Sequence, residues 1–266
     1  MSSMQDTITL SSISSTHCLL VMVGLPARGK SYLSNKLNQF LNWRGVSSKT
    51  FNVGKSRREK AAQMKQDASF FAPDNAEAKA YREQVALDVL HAALEWLEAG
   101  NLAILDATNT TRARRLHLLN AVHERCQAQG RPAPYVIFVE VICNEATVLQ
   151  SNMRQKVLYS PDFAGMPVED AMLELEKRIA NYIKVGPVLS LYIYISLPSS
   201  TLLTRAFRSC RGLQVYETVD EAEEDAASPL GPISYIKIID LQSKVICRNI
   251  WGPMAQLAVQ FLMVRV

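Results

Sequence analysis

Residues Gly24 to Ser31 read GLPARGKS, a complete G-x-x-x-x-G-K-[ST] pattern. The glycines let successive backbone N–H groups turn inward around phosphate oxygens, and a helix that starts at the Lys-Ser pair adds its positive dipole end. Lys30 is then placed to reach the terminal phosphates, and the Ser31 hydroxyl to hold Mg²⁺. A glycine turn before an ordinary helix is the bland alternative. The flanks argue against it: Cys18 to Val23 (CLLVMV) is a continuous apolar run, and Leu33, Leu37, Phe40 and Leu41 follow at helical spacing.

Asp106 closes a second apolar run, LAILD. A carboxylate at the C-terminal end of a parallel strand lies on the ligand side of the sheet, where it can serve Mg²⁺ or accept a hydroxyl proton. The alternative is a helix cap, because Thr108, Asn109, Thr110 and Thr111 follow directly. Arginines are frequent on the expected loops: Arg57, Arg58, Arg82, Arg112, Arg114, Arg115 and Arg178. Guanidinium forks suit a phosphorylated substrate, although any single one is more often a solvated charge.

The elements that must position these groups alternate in type. Lys49 to Val53, Leu102 to Leu105, Tyr135 to Ile142 and SYIKIIDL from Ser234 read as further strands. Leu87, Leu90, Leu94 and Leu97 mark a helix with an expected Asp74–Glu77 capping box, and Leu116, Leu119, Val122 and Cys126 mark another. Alternation of this kind predicts an α/β, P-loop NTPase-like three-layer fold with a mainly parallel sheet and helices on both faces. Residues 219–227 (VDEAEEDAA) read as an acidic loop.

Of the 266 residues, 48% are hydrophobic and 20% charged, which excludes a disordered or collagen-like chain. A net charge of +4 fits anionic small molecules at least as well as nucleic acid. Five dispersed cysteines without a CxxC pair argue against a disulfide framework or a zinc site. The opening MSSMQDTITLSSISS has no signal-peptide pattern, and no apolar stretch is long enough to span a membrane. A cytoplasmic protein is expected, with residues 1–17 as a disordered tail before one domain at 18–266.

GLPARGKSY, FNVGKSRRE (from Phe51), FAPDN (from Phe71), LDATNTTRARR (from Leu105), SPDF (from Ser160) and SYIKIID (from Ser234) occur in this order. Together they resemble the kinase domain of the 6-phosphofructo-2-kinase/fructose-2,6-bisphosphatase family. The resemblance implies ATP binding by Gly24, Leu25, Pro26, Ala27, Arg28, Gly29, Lys30, Ser31 and Tyr32. A second ATP segment would be Asn152, Met153, Arg154, Gln155, Lys156 and Val157. Lys30, Asp106 and Cys143 would be the catalytic-site residues, with Cys143 lining the nucleotide side and Ser31 and Asp106 serving Mg²⁺. On physical grounds alone, Cys143 reads as a buried apolar cysteine. Arg57, Arg82, Thr108, Arg114, Arg178 and Tyr182 would hold fructose 6-phosphate, whose 2-hydroxyl would take the γ-phosphoryl group of ATP. The resemblance also suggests a homodimer, with no nucleic acid or membrane partner.

Three features depart from the family. The family has Val followed by Lys before SPD, whereas this chain has Lys156 followed by Val157. One helical position turns a side chain by about 100°, so a missing cation at position 157 would impair turnover. On this reading, exchanging the two residues would raise kcat. Residues 185–214 are an atypical insertion without acidic residues, read either as a retained intron or as a surface loop. Its removal takes away Arg205, Arg208 and Arg211 and lowers the net charge from +4 to +1. Finally, no Arg-His-Gly tripeptide opens a phosphatase domain, so no bisphosphatase activity is expected. The alternatives to an active kinase are an impaired nucleotide-binding regulatory protein and another small-molecule or polynucleotide P-loop kinase.

Overall fold

The computed structural model describes residues 17–60, 67–72, 74–183, 216–240 and 243–264. The insertion at 185–214 and nearly all of the expected tail lie outside the described residues. His17, assigned to that tail, is already part of the fold: its Nδ1 donates to Gly100 O at 2.9 Å, and its carbonyl accepts from Tyr135 N.

The chain begins with β1 (Cys18–Val23), α1 (Lys30–Trp43), β2 (Ser48–Asn52) and α2 (Val53–Lys60). A 3₁₀ turn (Ala68–Phe71) leads into α3 (Ala76–Trp96), β3 (Leu102–Asp106), α4 (Arg112–Ala128) and β4 (Tyr135–Ile142). Then come α5 (Ala146–Tyr159), a 3₁₀ turn (Pro161–Phe163), α6 (Val168–Tyr182), α7 (Glu221–Ala227), β5 (Ser234–Ile239), β6 (Lys244–Arg248) and α8 (Pro253–Met263). Among the described residues the strands form one sheet in the order β2-β3-β1-β4-β5-β6. Every pairing is parallel except β5 with β6, an antiparallel edge strand that period alone did not reveal.

β1 is buried on both faces, as its unbroken apolar run requires. Cys18, Leu20 and Met22 pack with Leu33, Leu37 and Leu41 of α1 and with Met254, Leu257 and Leu262 of α8. Leu19, Val21 and Val23 face the opposite layer, with Val89, Leu90 and Leu94 of α3 and Leu118, Leu119 and Val122 of α4. Three layers result, as expected. The α5–α6 pair has a small core of its own, made by Met153, Val157, Phe163, Ala171, Leu175 and Ile179, with Ala27 of the glycine loop packed against it.

Two local expectations are corrected. The cap of α3 is Asn75 and not Asp74: Asn75 Oδ1 accepts from Ala78 N at 3.0 Å. The stretch read as an acidic loop contains α7, and its acids have work to do. Glu224 of α7 takes Arg115 Nε at 2.9 Å and Nη2 at 2.5 Å, while Arg115 Nη1 donates to the carbonyls of Asn109 and Glu217. Arg115 is therefore fully buried and structural rather than a substrate arginine. Arg112 likewise pairs with Glu223 and Asp220. α7 thus clamps the loop that follows β3.

Candidate active site

The C-terminal ends of β1 and β3 open into a cleft of about 680 Å³, within the usual size range for small-molecule sites. Its floor is the glycine loop. At Gly24, φ is +139°, and a Cβ there would sit 2.6 Å from Val141 O, so only glycine lets the loop lie against β4. Gly29 has φ of +88° and caps α1 from the left-handed region. Pro26 through Tyr32 line the cleft, whereas Gly24 and Leu25 support the loop from beneath. Lys30 is 7% exposed and donates from Nζ to Leu25 O at 2.6 Å. Burial pulls its ammonium down to about 7; Asp106 opposes this, and Lys156 and Arg28 reinforce it.

Asp106 is 4% exposed at the end of β3 and lines the same cleft as Lys30 and Ser31. Its register partner Asn52, at the end of β2, donates from Nδ2 to Asp106 Oδ2 at 2.5 Å. Sequence reasoning missed Asn52, because the pairing exists only through the β2–β3 register. The DATN loop is tied back to the sheet: Asn109, at φ +43°, donates from Nδ2 to Met22 O at 2.9 Å, and Thr108 O accepts from Gly24 N.

The far end of the cleft is basic. Arg57, Arg82, Thr108, Arg114, Arg178 and Tyr182 all line it, from four helices and a loop. Arg57 and Arg178 stand over the Phe71 ring at 4.8 and 4.1 Å, and Arg82 stands 5.6 Å from the same ring. Burial pulls the Arg57 and Arg82 guanidiniums below their ordinary value, with nearby acidic groups opposing. Arg114 is oriented by Glu83, also a cleft residue, and by Asn109 Oδ1. Asp162 takes Arg57, Arg58 and Arg178 together, a role that the SPDF motif alone did not disclose.

The expected second ATP segment divides by helical phase. Asn152, Gln155 and Lys156 line the cleft. Met153 and Val157 are buried in the α5–α6 core, and Arg154 is exposed away from the lining. Position 157 is therefore a packing position here, and the lysine one residue earlier is the one that reaches the cleft. Cys143 does not line it: the thiol is 3% exposed and pushed up by burial, with Arg28 the main opposing charge. The expected role of Cys143 on the nucleotide side thus finds a buried cysteine outside the cleft lining.

A hydroxyl and a buried carboxylate beside the glycine loop are hard oxygen donors, few in number. This suits a magnesium ion that keeps waters and substrate phosphates as its remaining ligands. Ser31 and Asp106 fit that description.

Residues 5–190 match the family model described as 6-phosphofructo-2-kinase. The chain belongs to that family. A probable 6-phosphofructo-2-kinase of Schizosaccharomyces pombe is 36% identical over 92% of this chain and 30% of its own length. The 6-phosphofructo-2-kinase 1 of Saccharomyces cerevisiae is 34% identical over 94% of this chain and 26% of its own. Human 6-phosphofructo-2-kinase/fructose-2,6-bisphosphatase 3 is 43% identical over 62% of this chain and 30% of its own. The chain thus spans about a third or less of the length of these relatives. Among solved structures, the Mycobacterium tuberculosis APS kinase CysC is similar at 17% identity and a TM-score of 0.39, over 55% of this chain and 72% of that one. Shikimate kinase from Acinetobacter baumannii is similar at 13% identity and a TM-score of 0.36, over 82% of this chain and 92% of that one. Among the described residues no helix is long and apolar enough to cross a membrane.

Proposed function

We propose that the cleft transfers the γ-phosphoryl group of ATP to the 2-hydroxyl of fructose 6-phosphate, giving fructose 2,6-bisphosphate and ADP. The observation that carries this reading is one continuous cleft lined together by the glycine loop, by Asp106 and by Arg57, Arg58, Arg82, Arg114 and Arg178. Membership of the 6-phosphofructo-2-kinase family supports the choice of sugar.

In this scheme the glycine loop and Lys30 hold the β- and γ-phosphates, and Arg57, Arg82, Arg114 and Arg178 hold the 6-phosphate. Holding both substrates aligns the hydroxyl with the γ-phosphorus, which is most of what phosphoryl transfer asks of a protein. The new O–P bond forms as the bond to the β-phosphate oxygen breaks, and ADP carries away the electron pair. Ser31 and Asp106 would hold Mg²⁺, which when bound neutralises phosphate charge. Asn52 engages Asp106 Oδ2, leaving Oδ1 for the metal or for the hydroxyl proton. Lys156 supplies a further cation on the nucleotide side.

ADP release measured with fructose 6-phosphate, free fructose and a polynucleotide end separates the readings. Turnover with fructose 6-phosphate alone is expected. Turnover with the polynucleotide end, or ATP binding with no sugar-dependent turnover, would overturn it.

A further inference from the structure

Three arginines from two helices meet on one carboxylate. Asp162, in the 3₁₀ turn between α5 and α6, has a side chain only 4% exposed. Arg57 Nη2 donates to its Oδ1 and Oδ2 at 3.1 and 3.0 Å. Arg178 Nη1 donates to Oδ2 at 2.6 Å, and Arg58 Nη1 to Oδ1 at 3.4 Å. The turn itself is fixed, since Ser160 Oγ accepts from Asp162 N, Pro161 opens it, and Phe163 is buried in the α5–α6 core. Burial raises the Asp162 carboxyl, and Arg57 and Arg178 more than offset this, so it stays below its ordinary value.

Arg57 is also held by Phe70 and Phe71, yet its buried Nη1 has no hydrogen-bond partner among the described residues. Asp162 holds Nη2 of that guanidinium and leaves Nη1 unbonded, and Arg57 is one of the cleft residues. An unpaired buried donor is costly unless a ligand completes it. Three guanidiniums against one carboxylate, with the Lys156 ammonium also under the influence of Asp162, leave a net positive set that suits a phosphate monoester dianion.

We propose that Asp162 is a positioning residue for the sugar-phosphate end of the cleft, pairing with Arg57, Arg58 and Arg178 so that Arg57 and Arg178 are fixed to meet the phosphate of the acceptor. The proposal rests on the assignment of fructose 6-phosphate as acceptor. Asp162 does not touch the substrate; it acts through the arginines.

The test is Asp162→Asn, which keeps the side chain's size, removes its charge and sets an amide N–H against a guanidinium. The KM for fructose 6-phosphate is expected to rise by about tenfold or more, with the KM for ATP within about twofold of the unaltered chain. A residue that only held the α5–α6 turn together would move both KM values, because α5 also lines the nucleotide side. Should Asp162→Asn fail to fold, Asp162→Glu keeps the charge and shifts the arginines by one carbon–carbon bond. It is expected to raise the same KM selectively, by less. An unchanged or lowered KM for the sugar phosphate in the folded variant would overturn the proposal alone. If the unaltered chain bound no fructose 6-phosphate in calorimetry, the acceptor assignment and this proposal would fall together.

Discussion

Lys156 and Val157 are neighbours in sequence but stand on different sides of α5: Lys156 lines the cleft, while Val157 is packed with Met153, Phe163 and Leu175. The transposed pair therefore leaves the cation in the cleft lining. Lys156→Met should lower kcat by about 10²-fold, as loss of one transition-state donor does elsewhere. The exchange Lys156→Val with Val157→Lys, favourable on sequence grounds, should instead lower both activity and stability, because it drives an ammonium into an apolar core. Steady-state kinetics and urea denaturation of the two variants check this.

Lys30 carries a pH signature. Its ammonium, pulled down to about 7 by burial, is charged below that pH and increasingly neutral above it. Only the charged form pairs with phosphate, so ATP affinity should fall by about tenfold per unit between pH 7.5 and 9. Calorimetry across that range should show the slope, and Lys30→Met should abolish it. Stability moves the other way. The cost of burying the charged group is borne in full below about pH 7 and is relieved as pH rises toward the ordinary lysine value.

Arg115 and Glu224 form a buried pair, and removing one partner strands the other. Arg115→Met should cost about 3–5 kcal/mol in chemical denaturation, and Arg115→Met with Glu224→Leu should recover much of it. Equal losses in the single and double variants would contradict the pairing.

Gly24 and Gly29 should respond differently to alanine. At Gly24 the new Cβ meets a backbone oxygen that cannot move aside, whereas at Gly29 nothing lies within 4 Å and only the positive φ is strained. Gly29→Ala should cost about 1 kcal/mol, and Gly24→Ala clearly more, in thermal unfolding.

Much of this was legible in the residues. The CLLVMV run and LAILD announced two central strands, and GLPARGKS the glycine loop between β1 and α1, because burial on both faces and a left-handed turn each demand particular residue types. What stayed hidden depended on tertiary partners. Arg115 and Arg178 look alike in sequence, yet one is closed off by Glu224 and the other lines the cleft. Asp162 gains its meaning from arginines 16 and 105 positions away. Cys143 follows β4 and is buried, and Val157 differs from Lys156 in helical phase.

Fructose 6-phosphate labelled with ¹³C at C2, incubated with ATP, Mg²⁺ and the chain, should yield a product whose C2 resonance is split by a new phosphorus, together with one ADP per product. An unsplit C2 resonance while ATP binds and the chain remains folded would contradict the account.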